Sequence, residues 1–248
     1  MSIRQLTLFI SLIILGLPAI SRAQFFIGLE AGGNKNSLIT NNSNQAFTSY
    51  DSKSGISVGV PILYELNDWF ALRATPSYMQ KNYTINRTGF FNGIYQDNMN
   101  GYLQLPLMGQ FSFGEDQLKG YVNLGVYGAY WLSGKVKGAE ANVLNPVDSS
   151  YTTVAPSNIA GINNLYPYNE KYTFNPTKDN RMEFGWIAGI GISYETNNGN
   201  RFFIEGRRTY SFTDQQKKYM INQTPRYNDT YGINVGFLMS LDNLSGRY

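Results

Sequence analysis

The 248-residue chain has no cysteine and no histidine, and only 15% of its residues are charged. Without cysteine there is no disulfide framework, no thiol nucleophile and no residue to acylate as a lipoprotein anchor. Without histidine, His-dependent catalytic triads are excluded and the commonest metal ligand is missing. Basic residues are scattered, with Arg207-Arg208 and Lys217-Lys218 the only adjacent pairs in a chain of net charge +3. Nucleic-acid binding needs a stronger basic footprint, so no nucleic-acid partner is expected. Long apolar runs are also scarce, whereas a spanning helix needs about 20 such residues. The nearest is Leu6 to Ile20, preceded by Arg4 and followed by Ser21-Arg22-Ala23. A charged start, a short apolar stretch and a small-residue end describe a secretory signal peptide over residues 1–23, cleaved before Gln24. Residues 24–248 then form one domain.

What the chain does have is alternation. Apolar and polar or small residues alternate in eight stretches, near residues 25–33, 54–66, 69–85, 100–113, 119–133, 181–196, 201–213 and 227–239. A period of two places successive side chains on opposite faces of a strand. Ile56, Val58, Val60 and Ile62 share a face, opposed by Gly55, Ser57 and Gly59; Leu103, Leu105 and Leu107 oppose Tyr102, Gln104 and Met108. The linkers at 34–53, 86–99, 134–180 and 214–226 are long, and those at 67–68, 114–118 and 197–200 are short. Strict alternation of long and short links puts every long loop at one end, as in transmembrane barrels. With 19 Tyr and 15 Phe, the chain also has rings enough for membrane-interface belts.

The charges fall on the face opposite the apolar rows. Glu30, Glu65, Arg73, Glu183, Glu195, Glu205 and Arg207 all lie there. A soluble, lipocalin-like barrel requires the reverse, with an apolar inner wall and charge outside. The expected fold is therefore all-β: an eight-stranded antiparallel up-and-down transmembrane β-barrel with a side-chain-filled lumen. Ile56, Val58, Leu103, Leu105, Val122, Leu124, Ile190 and Val235 are expected to face lipid. Glu30, Arg73, Glu183, Glu195, Glu205 and Arg207 are expected to form a lumen polar network, since buried charges pair. Glu183, Glu195 and Glu205 qualify as glycosidase carboxylates only in form; pairing with arginine accounts for them better. No catalytic residue, metal site or cofactor is expected. Gly185, Gly189 and Gly191 lack phosphate-loop spacing and suit small lumen positions instead.

The loop over residues 134–180 is long enough to carry a function. Its Tyr151, Tyr166, Tyr168, Tyr172 and Phe174 form a candidate binding surface, because such rings bury area at low entropic cost. The competing expectation is a polar cap over the barrel rim.

Several segments resemble the PorT-like family of outer-membrane β-barrel proteins of the Bacteroidota. They are Tyr102-Leu-Gln-Leu-Pro-Leu107, Tyr121-Val-Asn-Leu-Gly-Val-Tyr127, Phe203-Ile-Glu-Gly-Arg207 with Tyr210-Ser-Phe-Thr213, and the Gly-alternating last strand. The resemblance implies an eight-stranded barrel in the outer membrane with no catalytic residues to carry over, and a founding member tied to type IX protein secretion. The expectation is a non-enzymatic structural or accessory component of the envelope, contacting outer-membrane lipid and other envelope or secretion-system proteins. The alternatives are a surface-binding protein acting through residues 134–180, and a small pore.

Overall fold

A computed structural model of the chain describes residues 24–40, 47–114, 116–141, 165–221 and 223–241. The expected signal peptide lies outside the described residues. The described strands are β1 (Gln24–Ile39), β2 (Thr48–Gly59), β3 (Ile62–Asn67), β4 (Phe70–Ala74), β5 (Ser77–Gln80), β6 (Tyr83–Arg87), β7 (Tyr95–Phe113), β8 (Leu118–Ala141), β9 (Leu165–Lys171), β10 (Met182–Glu195), β11 (Arg201–Ser211) and β12 (Tyr227–Ser240). They form one antiparallel sheet that closes on itself, because β1 pairs with β12 from Phe26↔Ser240 to Ile39↔Tyr227. The ring has eight staves: β1, β2–β3, β4–β5–β6, β7, β8, β10, β11 and β12. Closure satisfies the edge hydrogen bonds that lipid could not.

Two staves expected to be continuous are broken into segments. Pro61 and Pro76 cannot donate to a ladder, so β2 gives way to β3 and β4 to β5 at these residues. The neighbouring strands bridge the gaps: Gly28 N donates to the Pro61 carbonyl at 2.9 Å, and Val60 N to the Pro76 carbonyl at 2.9 Å. The wall stays closed although proline interrupts its regular pattern.

At the short-turn end, the Asn67 side-chain oxygen accepts from the backbone N–H groups of Trp69 and Phe70 at 3.2 and 2.7 Å. The turns into β8 and β11 need left-handed backbone at Gly114 (φ 113°) and Gly199 (φ 72°), which glycine supplies without steric cost.

The outer wall is apolar, with Leu29, Ile56, Val58, Leu103, Leu105, Leu107, Leu124, Val126, Ile190, Ile204, Ile233 and Val235 all exposed. Val122 lies on the same face but is half-buried. Rings flank this aliphatic band. Trp69, Phe70 and Phe111 cluster near the short turns, where Phe202 also meets Phe237 at 5.0 Å. Trp186 stacks on Tyr210 toward the other end, with their centroids 6.2 Å apart. The charged pair Arg208–Asp229 sits in this upper girdle, with the guanidinium 4.8 Å from the Tyr231 ring and 5.4 Å from that of Trp186. An ion pair at interface depth, covered by rings, is compatible with lipid contact.

The strands run further than expected at the long-loop end. β7 has 19 residues and β8 has 24, whereas a spanning strand needs about 9–11. The 134–180 segment is accordingly not all irregular: β8 continues to Ala141 and pairs with β9, from Lys135↔Lys171 to Ala141↔Leu165. Alternation fails to reveal these extensions because both of their faces leave the bilayer, so the apolar contrast that marks a lipid-facing strand is lost.

Candidate functional site

The lumen is filled in tiers. Nearest the short turns, Arg201 pairs with Glu65 and, at 2.9 Å, with Glu195, and its guanidinium lies 4.2 Å from the Phe26 ring. Above it pack Phe26, Leu63, Ala71, Tyr121, Phe203 and Leu238. The next tier is a closed ring of four charges. Arg73 donates to Glu30 and Glu205, both at 2.8 Å. Arg207 donates to Glu30 at 2.7 Å and to Glu205 at 2.8 Å. Each carboxylate receives two arginines and each arginine two carboxylates, so the tier is neutral. Tyr121 Oη donates to Glu205 at 3.2 Å. Gly189 leaves the room: a Cβ there would come within 2.5 Å of the Glu205 carboxylate.

A second ionic cluster lies closer to the mouth. Lys81 pairs with Glu183, which also accepts from Tyr127 Oη at 2.8 Å and Asn228 Nδ2 at 2.6 Å. The ammonium is 4.7 Å from the Tyr127 ring and 5.2 Å from the Tyr102 ring. Tyr102, Met108, Tyr127, Ala129, Trp131 and Ile187 complete this tier.

The six residues expected in the lumen polar network are all ion-paired but divide among tiers. Glu30, Arg73, Glu205 and Arg207 form the ring. Glu183 serves Lys81 in the tier above, and Glu195 lies at the rim because the β10–β11 turn follows it directly. Sequence reasoning missed Lys81 and Arg201. Lys81 follows Arg73 by eight residues and so shares its face, but the mixed stretch Met79-Gln80-Lys81-Asn82 hides the alternation.

Two segments cap the lumen at the long-loop end. Asp179 bridges to Gln216, Asn180 N donates to the Gln215 carbonyl at 3.0 Å, and Lys217 N donates to the Lys178 carbonyl at 2.9 Å. Gln215 reaches inward, accepting from Tyr83 Oη at 3.3 Å and donating to Tyr102 Oη at 3.1 Å. Of the candidate binding-surface residues, Tyr172 and Phe174 pack into this cap. Tyr172 stacks on Trp131 at 5.2 Å, and Phe174 meets the same ring edge-on at 5.0 Å. Burial pushes the Tyr172 phenol up, and the Asp179 carboxylate that accepts its hydrogen bond raises it further. Tyr166 is 59% exposed on β9. Tyr151 lies outside the described residues.

Beside the cap is a recess of about 640 Å³, lined by Tyr50, Arg87, Tyr95, Gln96, Glu140, Tyr168 and Arg226 among others. Tyr168 Oη donates to Gln96 Oε1 at 3.4 Å, and Arg87 donates to Thr48 Oγ1 at 2.5 Å. Burial opposes the charge of Arg226, but the facing phenols of Tyr83 and Tyr50 hold its pKa above the ordinary value. This recess was not legible in the sequence: most of its residues fall in stretches assigned to linkers. Among the described residues, no group of three or more acidic side chains could hold a metal ion. No helix there is long and apolar enough to cross a membrane.

Residues 21–217 match the family described as outer membrane protein β-barrel domain. Among solved structures, the outer membrane protein OprG from Pseudomonas aeruginosa is similar over 88% of this chain and 97% of its own, at 14% identity and a TM-score of 0.45. Neisserial surface protein A is similar over 87% of this chain and 96% of its own, at 12% identity and a TM-score of 0.42. Ail, the attachment invasion locus protein of Yersinia pestis, is similar over 87% of this chain and 99% of its own, at 13% identity and a TM-score of 0.40. No curated protein matches the chain. With an apolar wall turned to lipid, the ionised side chains inside and most of its length matching that family, the chain belongs to the outer membrane β-barrel domain proteins and is an integral protein of the outer membrane.

Proposed function

We propose that the protein is a non-enzymatic, non-conducting scaffold of the envelope whose working face is its long-loop end. The observation that carries this is the pair of buried ionic tiers, Arg73–Glu30–Arg207–Glu205 and Lys81–Glu183, which fill the lumen one above the other. Eight strands already leave little room for water, and paired charges with bulky rings between them occupy it. The lumen carboxylates Glu30, Glu65, Glu183, Glu195 and Glu205 are each engaged by a cation, an arrangement that favours structure over acid–base work. Strands that continue beyond the lipid hold a stiff, ring-rich rim where a partner could dock.

The resemblance to PorT-like proteins supports the finer reading, an accessory role in an envelope assembly such as a secretion complex. Purification of the tagged protein from membranes in mild detergent should recover specific envelope proteins at constant ratio. Recovery of the barrel alone would sink the accessory role. In planar bilayers the purified barrel is expected to give no steady ion conductance; the small-pore alternative requires it, and sustained single-channel steps would refute the filled lumen.

A further inference from the structure

We propose that the recess at the long-loop end binds a saccharide carrying a single carboxylate, a uronic acid sugar, with Arg226 taking the carboxylate. The inference rests on that end being the working face.

Arg226 is an anomaly among the inward-pointing arginines. Arg73, Arg201 and Arg207 each meet two carboxylates. Arg226 has no ion pair within 4 Å among the described residues, although its Nε is fully buried and without a hydrogen-bond partner. Around its guanidinium stand phenols, with the Tyr50 ring centroid 5.8 Å away. Neutral phenols are polar partners but not counter-ions, so this half-buried cation still lacks the carboxylate that each of the other three has. A carboxylate of a ligand in the recess would supply that charge in place of the phenol hydroxyls of Tyr50 and Tyr83 that now meet the guanidinium.

The recess also constrains the rest of the ligand. At about 640 Å³ it has the size of a small-molecule site and room for a disaccharide. Tyr50, Tyr95 and Tyr168 offer flat apolar faces tipped with hydroxyls, which suit the faces and edges of a pyranose better than an aliphatic chain. Gln96 adds hydrogen-bonding capacity in the wall. Glu140 and Arg87 stand in the same lining and offset each other, which leaves one net positive charge and suits a ligand with a single negative group better than polyphosphates or polysulfates.

Calorimetry on the purified barrel in detergent tests this with cellobiouronic acid, a glucuronyl-glucose, against cellobiose. The uronate should bind at least about tenfold more tightly than cellobiose, the scale of one charge-assisted hydrogen bond. Arg226→Gln should remove that preference. Heat-shifted gel migration checks that the variant folds, and should it fail, Tyr168→Ala is the second probe, expected to weaken both sugars. No uronate binding, equal affinity for the two sugars, or an Arg226→Gln protein that keeps the preference would each overturn the proposal. Envelope partners recovered without uronate binding would defeat this inference alone; uronate binding without partners would defeat only the accessory role.

Discussion

Glu205→Ala is expected to destabilise the barrel by about 3–5 kcal/mol, the usual cost of removing one partner from a buried ion pair. Glu205 is fully buried and receives Arg73 at 2.8 Å, Arg207 at 2.8 Å and the Tyr121 hydroxyl at 3.2 Å. Its loss leaves two guanidinium groups sharing Glu30, with an excess positive charge in the lumen. Arg73 is the worse placed of the two, because its Nε already lacks a partner and the Phe203 ring covers its face at 4.7 Å. Urea unfolding in phosphatidylcholine vesicles should show the midpoint falling with little change in slope, since the surface exposed on unfolding is the same. Replacing Glu30, Arg73, Glu205 and Arg207 together by methionine should cost much less than the single change, because no charge is then left without its partner. A single Glu205→Ala variant as stable as the parent would mean that the four charges are not a closed ring.

How much of this could be read from the residues depends on where lipid is. Between the interfaces, each strand has one face in hydrocarbon and one in a crowded polar lumen, so every second residue answers to a different solvent. That contrast places Leu103, Leu105 and Leu107 outside and Tyr102, Gln104 and Met108 inside, and it puts Glu30, Arg73, Glu205 and Arg207 on the lumen side. Alternation gives a side, however, and not a height. Which carboxylate meets which cation depends on how far each strand is offset from the next, and that offset is set by pairings such as Gly189↔Arg207 and Arg73↔Met108. Glu183 and Lys81 share the inner side with the ring yet meet in another tier for this reason. Above the bilayer the contrast disappears, and with it the signal for β9, for the long extension of β8 and for the recess. Arg226 lies just before β12 in a stretch without alternation, so nothing in its neighbourhood marks it as turned into the recess.

Arginine introduced along one outward row of β8 should report depth in the membrane. Val126 is 60% exposed, pairs with Leu107 and Trp186, and lies midway along the row that begins at Leu118 and ends at Leu132. Val126→Arg is expected to cost about 2–4 kcal/mol in vesicle-based unfolding, the penalty for a cation near the midplane of a barrel wall. Leu118 is just as exposed but is the first residue of β8, at the short-turn interface. Leu118→Arg should cost about 0–1 kcal/mol, because its guanidinium reaches the headgroups. The two substitutions are chemically alike and equally exposed, so only a hydrocarbon layer around the barrel separates their effects. In a water-soluble barrel both would fall within about 0.5 kcal/mol of the parent, as exposed substitutions usually do. Equal and small losses at both positions would therefore refute lipid contact along β8, while a graded loss from Leu118 to Val126 would locate the bilayer on the strand.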